Sequence, residues 1–378
     1  MLTILTMNNT YRILSLCALL LSTSVANAVA TPSTPQQAAE YFSGLGIPSE
    51  DLIVFQKQTK KAWLNYENQV GQPLLNWASK EIAYSGGKVV FYPFSGPDFL
   101  TVERVYPNAE RYVLVSLQKA LKPSYPETMD AKQGQIFLKK LGNAWDKFGV
   151  LGYFRTEDLD EDQRNKESNL GVTTILMAFA ARLGYEVIEI APLQFNTTKG
   201  EWETLPESEP KWNSVRLSLK KDGRKVTLDY LSMDLSDAGL KTQIQQQEWL
   251  QAMAGQPTLL KAASHLLQLP YFKILREMII NATPILVQDE TGLEYKHLRK
   301  IGKVDLYGNF VKPQVLFKTT QQKDLAEAYK AEKTKRKLPF AFSYLKNSEL
   351  RSIQIARSQK LAKPTEQPPN LVPLQVKK

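Results

Sequence analysis

From Lys88 onward, short apolar runs of strand type alternate with stretches whose apolar residues recur at helical spacing. No other feature of the chain restricts its fold as much. Lys88-Val-Val-Phe-Tyr92 reads as a buried strand behind the Gly86-Gly87 turn, Pro97 to Tyr106 as a helix, and Arg111 to Leu117 as a second strand. Gly171 to Leu183 is an apolar helix stopped at Gly184, and Tyr185 to Ile190 a strand ended by Pro192. Val215–Leu219 and Val226–Leu231 flank Asp222-Gly223, a strong hairpin turn. Leu259–Leu269 and Tyr271–Asn281 read as helices parted by Pro270, and Ile285–Gln288 as a strand closed by a turn at Asp289-Glu-Thr-Gly292. Strands alternating with helices imply an α/β fold with an at least partly parallel sheet flanked by helices.

Ahead of this, residues 38–82 read as a helical N-terminal region, with apolar residues from Leu52 to Ile82 near helical spacing and a break expected at Gly71 and Pro73. Past Gln321, Asp324–Lys337 reads as a charged surface helix, Leu338–Tyr344 as a strand-like stretch and Ser348–Arg357 as a terminal helix. A single α/β body is expected over residues 29–360, with a disordered basic tail over 361–378.

The first 28 residues have the layout of a cleavable export signal. Arg12 is the only charge before Glu40, an apolar run spans Ile13–Leu21, and Ala26-Asn27-Ala28 forms an A-x-A site. The run is shorter than the roughly 20 residues that span a bilayer. The mature chain is therefore expected from Val29, in the periplasm or secreted, with no transmembrane segment. The single cysteine, Cys17, leaves with the signal, which excludes disulfides, thiolate nucleophiles and Cys-ligated metals. The net charge of +10 falls to +9 when Arg12 is removed, and residues 321–378 hold 13 Lys and Arg against 5 Asp and Glu. The rest of the body is thus nearly neutral. A basic end of this kind suits an anionic envelope surface or an acidic protein partner, and it suits a merely solvated terminus as well. Nucleic-acid binding has no basic, aromatic face in the body to support it.

The candidate chemistry centres on Ser95-Gly-Pro-Asp98, a loop between a strand and a helix. In parallel sheets, ligands sit outside the carboxyl ends of strands. Ser95 offers a hydroxyl and Asp98 a carboxylate, while capping of the next helix explains the same residue types. Arg155, in Gly152-Tyr-Phe-Arg-Thr156, has the geometry to clamp a carboxylate or phosphate, or to pair with Asp98. Leu228-Asp-Tyr-Leu-Ser232 echoes Phe91–Ser95, with Asp234 in the place of Asp98, which adds Ser232 to the set. Asp289 and Glu290 are candidate paired carboxylates, and equally the residues of a turn.

Several classes are disfavoured. A serine hydrolase built on Ser95 would have only His265 and His297 to draw on, and no G-x-S-x-G elbow surrounds Ser95. Asp158, Asp160 and Asp162 begin like a calcium loop, but Gln163 and Asn169 stand where Gly and Glu are required. There is no P-loop and no G-x-G-x-x-G, so no nucleotide cofactor and no metal is expected.

Tyr92-Pro-Phe-Ser-Gly-Pro-Asp-Phe-Leu100, Tyr106-Pro107, Gly152–Thr156, Lys261-Ala-Ala-Ser-His265 and Gln288-Asp-Glu-Thr-Gly292 resemble a family of uncharacterised exported bacterial proteins over roughly 38–345. The resemblance implies a bacterial envelope protein and no particular chemistry. Glu290 departs from the second aspartate usual there. The expectation is a non-catalytic periplasmic or envelope binding protein with its site at Ser95, Asp98, Arg155 and Ser232; the alternative is a carboxylate-dependent hydrolase, with or without a metal.

Overall fold

A computed structural model describes residues 34–46, 52–82, 88–123, 131–151, 171–312, 322–333, 336–342 and 351–358. The export signal, Arg155, the acidic run 158–162 and the tail from 361 lie outside the described residues.

Helices α1 (Pro35–Ser43), α2 (Ile53–Tyr66) and α3 (Gln72–Glu81) come first. Strand β1 (Val89–Pro93), α4 (Phe99–Val105), β2 (Arg111–Ser116), α5 (Ala131–Leu151) and α6 (Val172–Arg182) follow. Then come β3 (Glu186–Asn196), β4 (Glu201–Thr204), β5 (Ser214–Lys221), β6 (Arg224–Ser232), α7 (Asp237–Thr242), α8 (Ile244–Ala254) and β7 (Thr258–Leu260). Two 3-10 turns, Ala262–Gln268 and Pro270–Phe272, lead to α9 (Lys273–Ala282), β8 (Ile285–Gln288), α10 (Tyr295–Ile301), β9 (Gly302–Gly308), α11 (Lys323–Ala331) and β10 (Ser352–Ser358).

All ten strands form one sheet in the order β4-β3-β5-β6-β2-β1-β7-β8-β10-β9. The five central strands, β6-β2-β1-β7-β8, run parallel. Antiparallel hairpins β3–β5 extend one edge, and β10 inserts antiparallel between β8 and β9. Set the β3–β5 extension aside and the order reads 3-2-1-4-5-7-6, a doubly wound sheet. Helices cover both faces, so the central strands bury both sides. On β2, Tyr112 and Leu114 enter one core with α1 to α6, while Val113 and Val115 enter the other with α7 to α10. The expected α/β class, with its partly parallel sheet and helical N-terminal region, is what the chain adopts.

The differences from the sequence reading have physical causes. At Gly71 and Pro73 the helix does not break. It widens into a π turn, Glu67–Gly71, and Pro73 enters the first turn of α3. Proline lacks the N–H for an i→i−4 bond and crowds the carbonyl four residues back, and a wider turn accommodates both. Strand β3 passes through Pro192 to Asn196 and pairs with β4 beyond it. The Pro192 carbonyl accepts from Leu205 N on the β4 side, so the missing N–H faces the same side, where the β4 ladder ends, and β5 loses nothing. Leu259-Leu260 is a strand, not the start of a helix, and Ser352–Ser358 is a strand where a terminal helix was expected. Short runs buried on both faces carry no period to separate the two states. The strand-like stretch from Leu338 forms no strand over its described residues, 338–342; an isolated bridge just before it joins Arg336 to Tyr307.

Gly308, where β9 meets β10, has φ +77°, and a Cβ there would lie 1.9 Å from the Arg351 carbonyl oxygen. Gly308→Ala should destabilise by about 3 kcal/mol, combining backbone strain with a clash that backbone cannot relieve. Gly223→Ala, in the hairpin turn at φ +78° with open space around it, should cost only about 1 kcal/mol. Urea unfolding of both variants measures the difference; equal effects would show that Gly308 does not fix the β9–β10 junction.

Candidate functional site

Growth of the parallel sheet reverses direction at β1. The chain places β2 and then β6 on one side of it, and β7 and then β8 on the other. The loops leaving β1 and β7 therefore diverge at the carboxyl edge, which is where doubly wound sheets hold ligands. Two non-glycine residues there adopt left-handed backbone: Phe94 just after β1 (φ +59°) and Ala262 just after β7 (φ +64°). Such conformations persist only where the surroundings impose them.

Asp98 stands at the centre. Its Oδ1 accepts the Thr101 N–H at 3.2 Å and caps α4, so the cap is Asp98 itself and not Ser95. Its Oδ2 accepts the Tyr92 hydroxyl at 3.1 Å and lies 3.5 Å from Lys261 Nζ. Lys261, the first residue past β7, is 3 % exposed. Its ammonium also donates to Thr101 Oγ1 at 3.3 Å and sits 5.2 Å from the centre of the Phe342 ring. A buried ammonium requires such partners, because leaving one unpaired is strongly unfavourable.

The loop after β8 brings two more carboxyls. Asp289 accepts from Thr291 N at 2.9 Å, from the Thr291 hydroxyl at 2.5 Å and from Ala262 N at 3.4 Å. Glu290 Oε2 accepts the Ser352 hydroxyl at 2.9 Å, at the start of β10. Asp289 is fully buried and Glu290 3 % exposed. Burial pushes both pKa values up; the neighbouring Asp289 charge adds to the rise at Glu290, and Lys261 only partly opposes it. The Gly292 N–H does close a turn onto the Asp289 carbonyl. This turn is dry, unlike the solvated one its composition suggests.

The other side of α4 carries a second buried charge network that sequence reasoning missed. Lys221 reaches Glu103 at 2.9 Å and Arg104 reaches Glu67 at 2.9 Å, which ties the π turn to α4. Burial works against the Arg104 charge, but Glu103 and Glu67 outweigh it and its pKa rises.

Of the residues singled out from sequence, Asp98 belongs to this constellation. Ser95 is buried and its hydroxyl points back to the Val115 carbonyl at 3.5 Å. The Ser232 hydroxyl donates to the Leu117 carbonyl at 3.1 Å. The two serines thus flank the end of β2 and do not face one cavity. Arg155 lies outside the described residues. Asp234 accepts from Ser236 N at 2.9 Å in the turn before α7. His265 Nδ1 lies 3.3 Å from the Ala262 carbonyl, and burial lowers its pKa. Among the described residues, no three His, Cys, Asp or Glu side chains gather to hold a metal. Lys261 was missed because its strand read as helix, and the Asp289-Glu290 pair was the only sequence signal for the loop opposite.

Comparison of the chain with protein-family models finds no match, and comparison with curated proteins finds none either.

Two measurements probe the cluster. Lys261→Met leaves Asp98 without its cation and should destabilise by about 3 kcal/mol, while Lys261→Met with Asp98→Asn should recover part of the loss. Urea unfolding decides, and a double variant no better than the single would remove the pair as the cause. Glu290, raised above the ordinary 4.5, stabilises the fold while protonated. That contribution is complete below the unfolded carboxyl value and is lost as pH rises through the folded one. Thermal stability should therefore decline as pH rises above the ordinary carboxylate range, and less steeply in Glu290→Gln. Parallel pH profiles for the two proteins would refute this.

Proposed function

We propose that this chain is a non-catalytic binding protein of the bacterial envelope, exported by its N-terminal signal, with its site at the carboxyl edge where the strand order reverses. The observation that carries the reading is the Asp98–Lys261 pair. The two charges come from the diverging loops of β1 and β7, and both loops are held in left-handed backbone beside them. A ligand seated there would exchange partners with a pair that already joins the two loops. Leu117, 73 % exposed at the end of β2, offers an apolar rim next to the Ser95 loop. The ligand class that fits is a small polar molecule with an apolar portion. A nucleotide is poorly served: the loop after β1 carries Gly96 alone, and β2 ends in Ser116-Leu117-Gln118 without a carboxylate for a ribose. Among the described residues, no helix is long and apolar enough to cross a membrane.

One observation favours the second reading, a carboxylate-dependent hydrolase. Asp289 and Glu290 are dry acids with raised pKa values beside a lysine, an arrangement suited to proton transfer.

Thermal-shift measurements on the chain from Val29 test both. The ligands are sugars, small carboxylates, amino acids, adenosine and S-adenosylmethionine, with the cap-preserving variant Asp98→Asn alongside. A bound ligand at a hundredfold excess over its Kd should raise the melting temperature of the wild type by about 5 °C and leave the variant unmoved. Equal shifts in both proteins would place the site elsewhere. Turnover of chromogenic ester, glycoside or phosphate substrates, lost in Asp289→Asn, would replace the binding reading with the hydrolase.

A further inference from the structure

The outward stripe of α2 has a composition that an ordinary solvated helix face does not. At about 100° per residue, Ile53, Val54, Lys57, Lys60, Lys61 and Leu64 fall within one arc, and all six are exposed. Phe55, Thr59, Ala62 and Tyr66 occupy the opposite side and are buried. Val54 is 72 % exposed, Leu64 50 % and Ile53 46 %. The helix contains no acidic residue. The first acid after it, Glu67, is turned inward onto Arg104. Lys57, Lys60 and Lys61 make no ion pair with any described residue. A helix facing only water usually mixes lysine with glutamate, which gives favourable i,i+4 pairs. Here three unpaired lysines are interleaved with three large aliphatic side chains instead.

We infer that α2 docks the protein, outer face down, on the headgroup surface of an anionic phospholipid bilayer. The lysines supply attraction to the charged surface, and the aliphatic side chains enter the boundary between headgroups and acyl chains. Helix α5, packed along α2, carries exposed Ile136 and Lys139 and sets one exposed carboxylate, Asp146, against Gln58 of α2. Bilayer chemistry fits this face better than the other anionic surfaces. Nucleic acid would call for arginines or exposed aromatic rings on which bases stack, and the stripe has neither. A protein interface would call for a contiguous apolar centre depleted in lysine, whereas here lysines separate the aliphatic residues. The inference is independent of the site at Asp98 and of the basic tail.

The test is vesicle co-sedimentation of the full chain from Val29. Vesicles of phosphatidylcholine mixed with phosphatidylglycerol are compared with phosphatidylcholine alone, at low and high salt. Binding is expected only to the mixed vesicles, and it should weaken as salt screens the lysines. Lys57→Gln/Lys60→Gln/Lys61→Gln should weaken it about a hundredfold, near fivefold for each charge removed. Val54→Ser should weaken it several-fold, and it should do so in high salt too. All four side chains are exposed, so circular dichroism and melting should match the wild type in both variants. Lys363→Gln/Lys377→Gln/Lys378→Gln, in the tail, should bind as the wild type does. The inference is overturned by equal binding to neutral vesicles, by no binding to either kind, by loss only in the tail variant, or by tighter binding to duplex nucleic acid than to the mixed vesicles.

Discussion

A lysine ammonium buried past the end of β7 constrains the structure around it more than any other single group. Water is excluded from Lys261, so its charge has to be balanced by the protein, and among the described residues the carboxylate ion-paired with it is Asp98 on the neighbouring loop. Asp98 in turn can reach Lys261 only if the chain leaves β1 through the left-handed turn at Phe94 and starts α4 at once. The same side chain then caps α4 and accepts the Tyr92 hydroxyl. The ring of Phe342 covers the far side of the ammonium and draws the 336–342 segment over the same edge. One buried charge thus accounts for two strained loops, a helix start and the placement of a C-terminal segment.

The carboxyls of Asp289 and Glu290 belong to the same electrostatic problem but solve it differently. Asp289 is held by the Thr291 amide and hydroxyl and by the Ala262 amide, while Glu290 has the Ser352 hydroxyl and sits beside Asp289. Three ionised carboxylates around one lysine would leave uncompensated negative charge in a dry interior. Burial raises the pKa of two of them, which favours their neutral forms and lessens that charge. Asp98 is the least buried of the three and is the one bonded directly to the ammonium. The loops after β1, β7 and β8 are therefore coupled through their charge states as well as through hydrogen bonds.

Which parts of this were legible in the sequence follows from what carries a period and what does not. β1, β2, β8 and the β5–β6 hairpin were readable because turn residues bracket them and, in the hairpin, Asp222-Gly223 supplies the two positive φ values a tight turn needs. β7 and β10 were not. Both are buried on both sides, so neither the two-residue nor the 3.6-residue repeat is visible, and no Gly, Pro, Asn or Asp directly follows either to mark its end. Losing β7 concealed the site, since Lys261 in a helix would have been one more surface charge. Asp98 was found from its loop as a site residue or part of a cap, but the cation expected to pair with it was Arg155, and the one that does is Lys261. Ser95 and Ser232, read from sequence as an echo, both donate to backbone carbonyls at the end of β2.

The N-terminal helices show how a single segment separates two tasks. The inner side of α2 packs against the body, and the π turn that follows sets Glu67 against Arg104, the residue after Glu103 on α4. Pro73 forces that widening, so the register by which α2 meets α4 is written into the sequence as a missing N–H. Glu67, the one acidic residue from Ile53 to Gly71, is turned inward by this anchorage, and the outer stripe of α2 carries lysines and aliphatic residues. The helix therefore presents a positive face outward. That face sits on the helical layer covering one side of the sheet, while the Asp98–Lys261 pair lies at the sheet's carboxyl edge. Contact at α2 and occupancy at the strand reversal are for this reason separable in position and in chemistry, one depending on exposed charge that salt can screen and the other on a buried pair that it cannot.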